Sequence, residues 1–530
     1  MDRLRGFFRN PLFLVCSTAF LTALVVQSGE LGTSDTTHRL QTTHSFWTSE
    51  EPVDPRDYPE FGIHGREGKL YAWYGIGQSL VMLPADILGT YVENWSIFDG
   101  YAADPRPRSI VVSYSTNILV CLLTVLVCFR LLGQLRFTTN ERIAGVFALL
   151  FCTTFLHYTQ NMMENNYILL LTLTGFSFQY DWLRTGNRRA LLVGSAALGL
   201  NLLTRLTTGL DLLAVAFFLA LVSWFSEKPG GRLRRRFWPY AKIAFPVYTM
   251  FFALDRAYQY YRFGSFFNTY IQLYGQEQKM LKPDLPVAFP FETPFHVGFL
   301  GALFAPEKSI FLFDPLLVLM LLLAAVAWKR FQPEIRAYVI ACTALLFAYI
   351  SLYAKFTDWA GDFAWGDRYA STCVQIAAFV SVPLLMRHRA EVSKAVWTVG
   401  LTLVALSVVV QAASVMFWCP LEIYQMEAVR HPFVIALRFK NIVAFATGKM
   451  DEWGLNNEAM KQDPWDYVHI TTFNFLPFLL ARVGKSARWV VQLVAVMWVT
   501  ALAATLVLLN YIRSCVRRGM FEPAVDSPRT

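Results

Sequence analysis

Apolar residues in this chain come in long, nearly unbroken runs separated by short polar stretches, not in the alternation of a half-buried strand or the single apolar stripe of a soluble helix. A helix needs roughly 17 to 25 such residues to cross the hydrocarbon core of a bilayer. Runs of that kind lie at 11–29, 109–132, 142–158, 165–184, 308–328, 335–354, 368–386, 395–417 and 488–512, with less uniform ones at 189–204, 209–225 and 240–261. The pattern predicts an all-α integral membrane protein, a bundle of about twelve transmembrane helices.

The polar stretches orient the bundle. Lys and Arg collect in cytoplasmic loops, and RLRGFFR, RTGNRR, EKPGGRLRRRF, KRFQPEIR, RHRAEVSK and RSCVRRG all fall inside if both termini are cytoplasmic. The stretch 70–92, LYAWYGIGQSLVMLPADILGTYV, is apolar enough to span, but counting it as a span inverts every basic loop after it. It is therefore expected outside, as an interfacial helix with Tyr71, Trp73 and Tyr74 at the headgroup level. The long connections 30–108, 262–307 and 418–487 then all face outward. Arg438 and Lys440 in the middle of HPFVIALRFKNIVAFATG favour another interfacial helix, so the helix count in 418–487 is open by two. The whole of 1–530 reads as one polytopic domain, with function on its external face.

Composition agrees with this class. Hydrophobic residues make up 55% and charged residues 16%, with a positive mean hydropathy. The net charge of +9 reflects topology and does not call for nucleic acid. The eight cysteines lack CxxC spacing and His partners, so neither a disulfide framework nor a zinc site is indicated. The N-terminus has a basic start and an apolar stretch without a small-x-small cleavage site, and is expected to be an uncleaved first span. No Walker loop, GxGxxG before a helix or HExxH is present, which argues against ATP-driven transport and zinc proteolysis.

Two carboxylates fall at the external edge: Asp35, just past the first run, and Glu164, between the third and fourth. Partial desolvation there raises a carboxylate's proton affinity and suits general-base chemistry; the alternative is that both are solvated loop acids or helix-starting charges. Cations gather on the same side. Arg205 lies between two apolar runs, where an unpaired charge is costly, and Arg368 lies in WAGDFAWGDRYAS. Either could hold a phosphate through paired hydrogen bonds; alternatively Arg205 is a snorkelling helix end and Arg368 pairs with Asp367 or Asp362. Lys308 and Lys355 are further candidates for the substrate site, or plain interfacial charges. His38 follows Asp35 by one turn if that stretch is helical, but no His pair has metal spacing. A divalent metal is possible but not indicated, and no other cofactor is.

The order of these landmarks resembles the membrane glycosyltransferases of the GT-C fold that use a polyprenyl-phosphate sugar, such as protein O-mannosyltransferases and the lipid A aminoarabinose transferase. They are Asp35 past the first span, GREGKLYAWYGIGQSLVMLP leading to Arg108, Glu164 between the third and fourth spans, and Arg205 in NLLTRLTTG. Later, FLGALFAPEKSIFLFDPLLVL and WAGDFAWGDRYAS look like segments of bacterial relatives. The chain departs from the family in its single acid, SDTTHRL, where a pair or a Glu-x-x-Tyr pattern is common, and in Glu where Asp is frequent at the second position.

The resemblance implies an inverting transferase in a bacterial cytoplasmic membrane, active toward the exterior, with a polyprenyl-phosphate sugar as donor and a protein, lipid or glycan as acceptor. Asp35 would be the general base and Glu164 would orient its partner or the acceptor. Arg205 and Arg368 would hold the leaving phosphate, and Lys308, Lys355, Tyr71, Trp73 and His38 would line the substrate site. The rival class is a transporter or lipid flippase, against which the placement of charge at one face counts.

Overall fold

The computed structural model describes residues 10–521 apart from 60, 99–104, 227–231, 362–363, 419–420, 423–424, 426–432, 450–471 and 484–487. Asp362 and much of the last external connection therefore lie outside the described residues. Helix occupies all twelve apolar runs, three of them in two pieces: Thr139–Cys152 with Phe155–Gln160, Ile310–Phe313 with Leu316–Ala327, and Arg368–Ala378 with Ser381–Arg387. The described strands are a short antiparallel pair, Ile63–His64 with Leu70–Tyr71.

Six segments are long and apolar enough to cross a membrane: Pro107–Gln134, Leu206–Phe225, Pro333–Tyr353, Arg368–Arg387, Lys394–Ser414 and Arg488–Arg517. The other runs are shorter, interrupted or more polar. Two of the helices show on their surfaces what surrounds them. Lys394–Ser414 exposes Leu401, Leu406 and Val409, and Arg488–Arg517 exposes Leu493, Val496 and Val507. Such apolar faces need hydrocarbon around them, so the chain is a multi-pass membrane protein.

Two of the helix breaks are tied to each other. The first comes at Thr153–Thr154, and the second falls at Asp314–Pro315, where proline cannot donate. Asp314 spans the gap, accepting from the Thr154 amide at 2.7 Å and its hydroxyl at 3.0 Å. Backbone groups freed by a break inside a membrane bundle need such partners. The Phe155–Gln160 helix thereby carries the chain into the turn that ends at Glu164.

On the side where Asp35 lies, helix Ser34–Ser45 packs against helix Gly77–Glu93, which also packs on Pro107–Gln134. The Gly77–Glu93 helix buries Gln78, Met82 and Asp86 and exposes Leu80, Leu88 and Tyr91. It is amphipathic, and it begins only at Gly77: the aromatic residues before it form the second strand and a turn.

Candidate active site

Asp35 and Arg39 owe their common direction to one helix. Thr33 caps Ser34–Ser45, its hydroxyl accepting from the Thr36 amide, and Asp35 sits in the first turn with Arg39 one turn further on the same face. The helix is held to the Glu164 turn at close range. Thr36 donates to the Met162 carbonyl at 2.6 Å, and a Cβ on Gly32, whose φ is +88°, would meet the Asn161 side chain at 2.5 Å.

Five charged side chains meet there. Asp35 accepts from Tyr74 Oη at 2.5 Å and from Arg368 Nη1 at 2.8 Å. Arg39 Nη2 lies 2.6 Å from Glu164 Oε2, and Arg205 takes the other Glu164 oxygen. Aromatic faces complete the walls: the Arg39 guanidinium lies 4.1 Å over the Tyr74 ring, and Arg205 and Arg368 lie 5.1 and 5.3 Å from the Tyr369 ring. Tyr369 in turn stacks on Tyr353 at 3.9 Å. Three guanidinium groups face two carboxylates, leaving one positive charge in excess. Arg39 Nη1 and Arg368 Nε are buried with no hydrogen-bond partner among the described residues.

Local structure explains how the two distant arginines arrive. Arg205 is extended, between the end of helix Arg188–Leu202 and the turn at Leu206. That break is fixed by Asp211, which accepts from Asn201 at 3.0 Å and Thr172 at 3.1 Å. The Gly75–Gly77 segment lies against its carbonyls: a Cβ on Gly75 would come within 2.2 Å of the Leu203 oxygen, so only glycine allows the approach. Arg368 opens its own helix. Asp367 is occupied as the cap, accepting from the amides of Tyr369 and Ala370 at 2.9 and 3.2 Å, which leaves the Arg368 side chain to reach Asp35. The partner considered for Arg368 from the sequence, Asp367, is thus engaged elsewhere.

The electrostatics follow from this packing. Burial by itself would raise Asp35, but Arg368 and Arg39, with the Tyr74 and Arg368 hydrogen bonds, outweigh it and bring the carboxyl down to about 2. Burial lowers the Arg39 guanidinium to about 10 against the pull of Asp35. The Tyr74 hydroxyl is raised, by burial first and then by the Asp35 charge. Asp35 is therefore ionised and poorly basic while Arg368 holds it.

The structure brings together four of the sequence candidates, Asp35, Glu164, Arg205 and Arg368. Trp73 stands one layer out, its ring 5.8 Å from that of Tyr74. His38 turns aside to the Ser34 carbonyl at 2.7 Å and Asp57 at 3.1 Å, stacked on Phe61. Lys308 donates to the Ala364 carbonyl at 3.0 Å, in the segment leading to Arg368. Lys355 is exposed, and Tyr71 is buried against Tyr261 and Phe263; neither joins the cluster. Sequence reasoning missed Arg39 and Tyr369 as site residues and gave Tyr74 only an interfacial place. Arg39 had a usable signal, the four-residue spacing from Asp35 on a helix; Tyr369 had only its place next to Arg368. Among the described residues no three His, Cys, Asp or Glu side chains come together as metal ligands, and the seven described cysteines are free.

No family model matches the chain, and no curated protein matches it. Among solved structures it is similar to the archaeal oligosaccharyltransferase AglB from Archaeoglobus fulgidus, determined in complex with an inhibitory peptide and a dolichol-phosphate, with 13% identity and a TM-score of 0.45. The match covers 83% of this chain and 59% of that one, so the chain spans about three fifths of that protein's length.

Proposed function

We propose that this protein is an inverting membrane glycosyltransferase, moving a sugar from a polyprenyl-phosphate lipid to a hydroxyl acceptor at the external face of a bacterial cytoplasmic membrane, with both termini cytoplasmic. The observation that carries this reading is the three-arginine, two-carboxylate cluster, in which buried guanidinium N–H groups have no partner among the described residues. Burying cations without full pairing is costly, and the donor's phosphodiester, like the polyprenyl phosphate monoester it leaves as, offers what they lack: negative charge and acceptor oxygens in a geometry that guanidinium groups match.

In this mechanism the acceptor oxygen attacks the anomeric carbon while its proton passes to Asp35. The bond from that carbon to the phosphate oxygen breaks, and the polyprenyl phosphate leaves with the electron pair, its charge held by Arg205 and Arg368. Arg368 cannot serve Asp35 and a phosphate equally. Donor binding draws it toward the phosphate, and Asp35, relieved of its nearest cation, gains proton affinity when a base is needed. Tyr74 keeps the carboxylate oriented, and Glu164 holds Arg39 and Arg205 in register.

The test is transfer of radiolabelled sugar from membrane extracts containing polyprenyl-phosphate sugars, comparing wild type with Asp35→Asn at equal folded yield. Label moved by the wild type alone supports both the class and the base. Transfer that survives in Asp35→Asn keeps the class and removes the base. Solute or lipid movement in vesicles, with no transfer from any lipid donor, replaces the enzyme by a transporter or flippase.

A further inference from the structure

The Ser34–Ser45 helix presents a second face to a cavity. Ser34, Thr37, Gln41 and His44 line a cavity of 610 Å³, whereas Asp35 and Arg39 do not. At about 100° per residue these two sets point to opposite sides of the helix. The cavity is within the size range of small-molecule sites, and it runs to Gly32, Thr33 and Ser34, the residues directly before Asp35.

His44 is the most constrained group on this wall. It is buried, and its Nδ1 lies 3.0 Å from Oδ2 of Asp86, which is fully buried. Asp86 also accepts from Trp47 Nε1 at 2.9 Å and from Arg108 Nε at 2.6 Å. A carboxylate with that many donors is acting as an acceptor, so His44 donates its Nδ1–H to Asp86 and leaves Nε2 as the ring nitrogen that meets whatever occupies the cavity. Nε2 has Glu50 as a neighbour at 3.6 Å, beyond hydrogen-bond reach, and the Glu50 side chain is largely exposed.

We propose that this cavity binds the polyhydroxylated body of the acceptor, with His44 Nε2 hydrogen-bonded to one of its hydroxyls. The proposal rests on the transferase reading and adds the acceptor's chemical class to it. The remaining walls suit a sugar ring: Gln41 and Glu93 offer amide and carboxylate groups, and Trp418 offers an indole. Among the described residues the lining has no strand edge for a peptide to pair with, and the ionisable side chains of Glu30, Glu50, Glu93, Arg106 and Arg108 disfavour a lipid chain. His44 stands nine residues from Asp35, about 13 Å along the helix, so it grips the acceptor well away from the reacting hydroxyl. The reacting end would pass over Thr33 and Ser34 to reach Asp35.

The experiment is ligand-observed saturation-transfer NMR on the purified full chain in detergent, with a pool of mannotriose, maltotriose and chitotriose as probe. Wild type should transfer saturation to the sugar ring protons. His44→Gln should weaken this roughly tenfold, the loss of one buried hydrogen bond. Thr37→Trp should also weaken it, by placing an indole on the cavity wall about two turns from His44; Thr37 is exposed, so this variant leaves the buried Asp86 network intact if His44→Gln folds poorly. No saturation transfer in wild type, equal transfer in wild type and Thr37→Trp, or displacement of the sugars by spermidine would each overturn the proposal, the last by assigning the cavity to a cation. Sugar binding that follows the expected pattern in a protein that transfers nothing from a polyprenyl-phosphate donor would keep this site and remove the transferase reading.

Discussion

Two buried arginine clusters lie close together in this molecule, and they differ in how completely their charges are used. Arg438, fully buried in helix Val434–Ala446, is saturated. Its Nε and Nη2 hold Glu422 at 2.5 and 2.6 Å, its Nη1 donates to the carbonyls of Ala413, Ser414 and Phe417, and its Nη2 also reaches the Trp418 carbonyl. The Arg39, Arg205 and Arg368 cluster shares two carboxylates among three cations and leaves buried donors without a partner among the described residues. Trp365 lies between the two, its ring 5.0 Å from the Arg438 guanidinium and its chain three residues ahead of Arg368. Since unpaired buried charge is expensive, the contrast separates a cluster whose donors are all used from one that keeps donors without partners among the described residues.

The comparison can be broken first at Arg438. Arg438→Met leaves Glu422 buried and alone and should cost about 3–5 kcal/mol of stability, read as a loss of folded protein on thermal unfolding in detergent. Adding Glu422→Leu should restore most of it, because the whole pair is replaced by apolar volume. A single variant that costs under about 1 kcal/mol would show that Arg438 is not the structural cluster described here.

The next effect belongs to the other cluster and falls on rate. Asp35→Asn should slow transfer by roughly 10²–10⁴-fold, the range for loss of a general base, compared at equal amounts of folded protein, with a stability loss of up to ~2 kcal/mol from the broken ion pair, smaller than that of Arg438→Met.

A smaller effect concerns pH. The Asp35 carboxyl is depressed to about 2 by its cations. It contributes stability in full above the ordinary aspartate value of about 4 and loses it as pH falls through about 2, up to ~2 kcal/mol. Denaturation midpoints between pH 5 and pH 2 should therefore fall more steeply for wild type than for Asp35→Asn. Parallel curves would remove the ion pair from the account. The smallest effect is expected for Tyr369→Leu, which removes the ring beside Arg205 and Arg368. It should cost about 0.5–2 kcal/mol of cation–π interaction, seen as a higher KM for donor with kcat nearly unchanged.

How far the site could be read from the chain varies residue by residue. Asp35 and Glu164 could be picked out because a carboxylate beside an apolar run is conspicuous, and Arg205 because a cation between two runs is costly. Their partners could not. Arg368 had acids next to it in sequence, yet it reaches one 333 residues away because Asp367 is spent on capping a helix. Tyr71, Trp73 and Tyr74 looked equivalent, three aromatic residues in one segment. Backbone geometry divides them, sending Tyr71 into a strand beside Tyr261 and Tyr74 onto Asp35. His44 and Asp86 carried no sequence signal as a pair, since 42 residues separate them.

The amino-acid sequence by itself determined the class, the positions of the helices and the shortlist of charged residues. Those follow from local rules: the length of apolar run that matches hydrocarbon, proline and capping residues at breaks, and the cost of a lone charge. The tertiary structure alone decided which charges meet, which are saturated and which keep donors free. Ion pairing and hydrogen bonding depend on distance in space, and here that distance is set by helix breaks at Thr153, Arg205 and Asp314 and by close backbone approaches at Gly32 and Gly75.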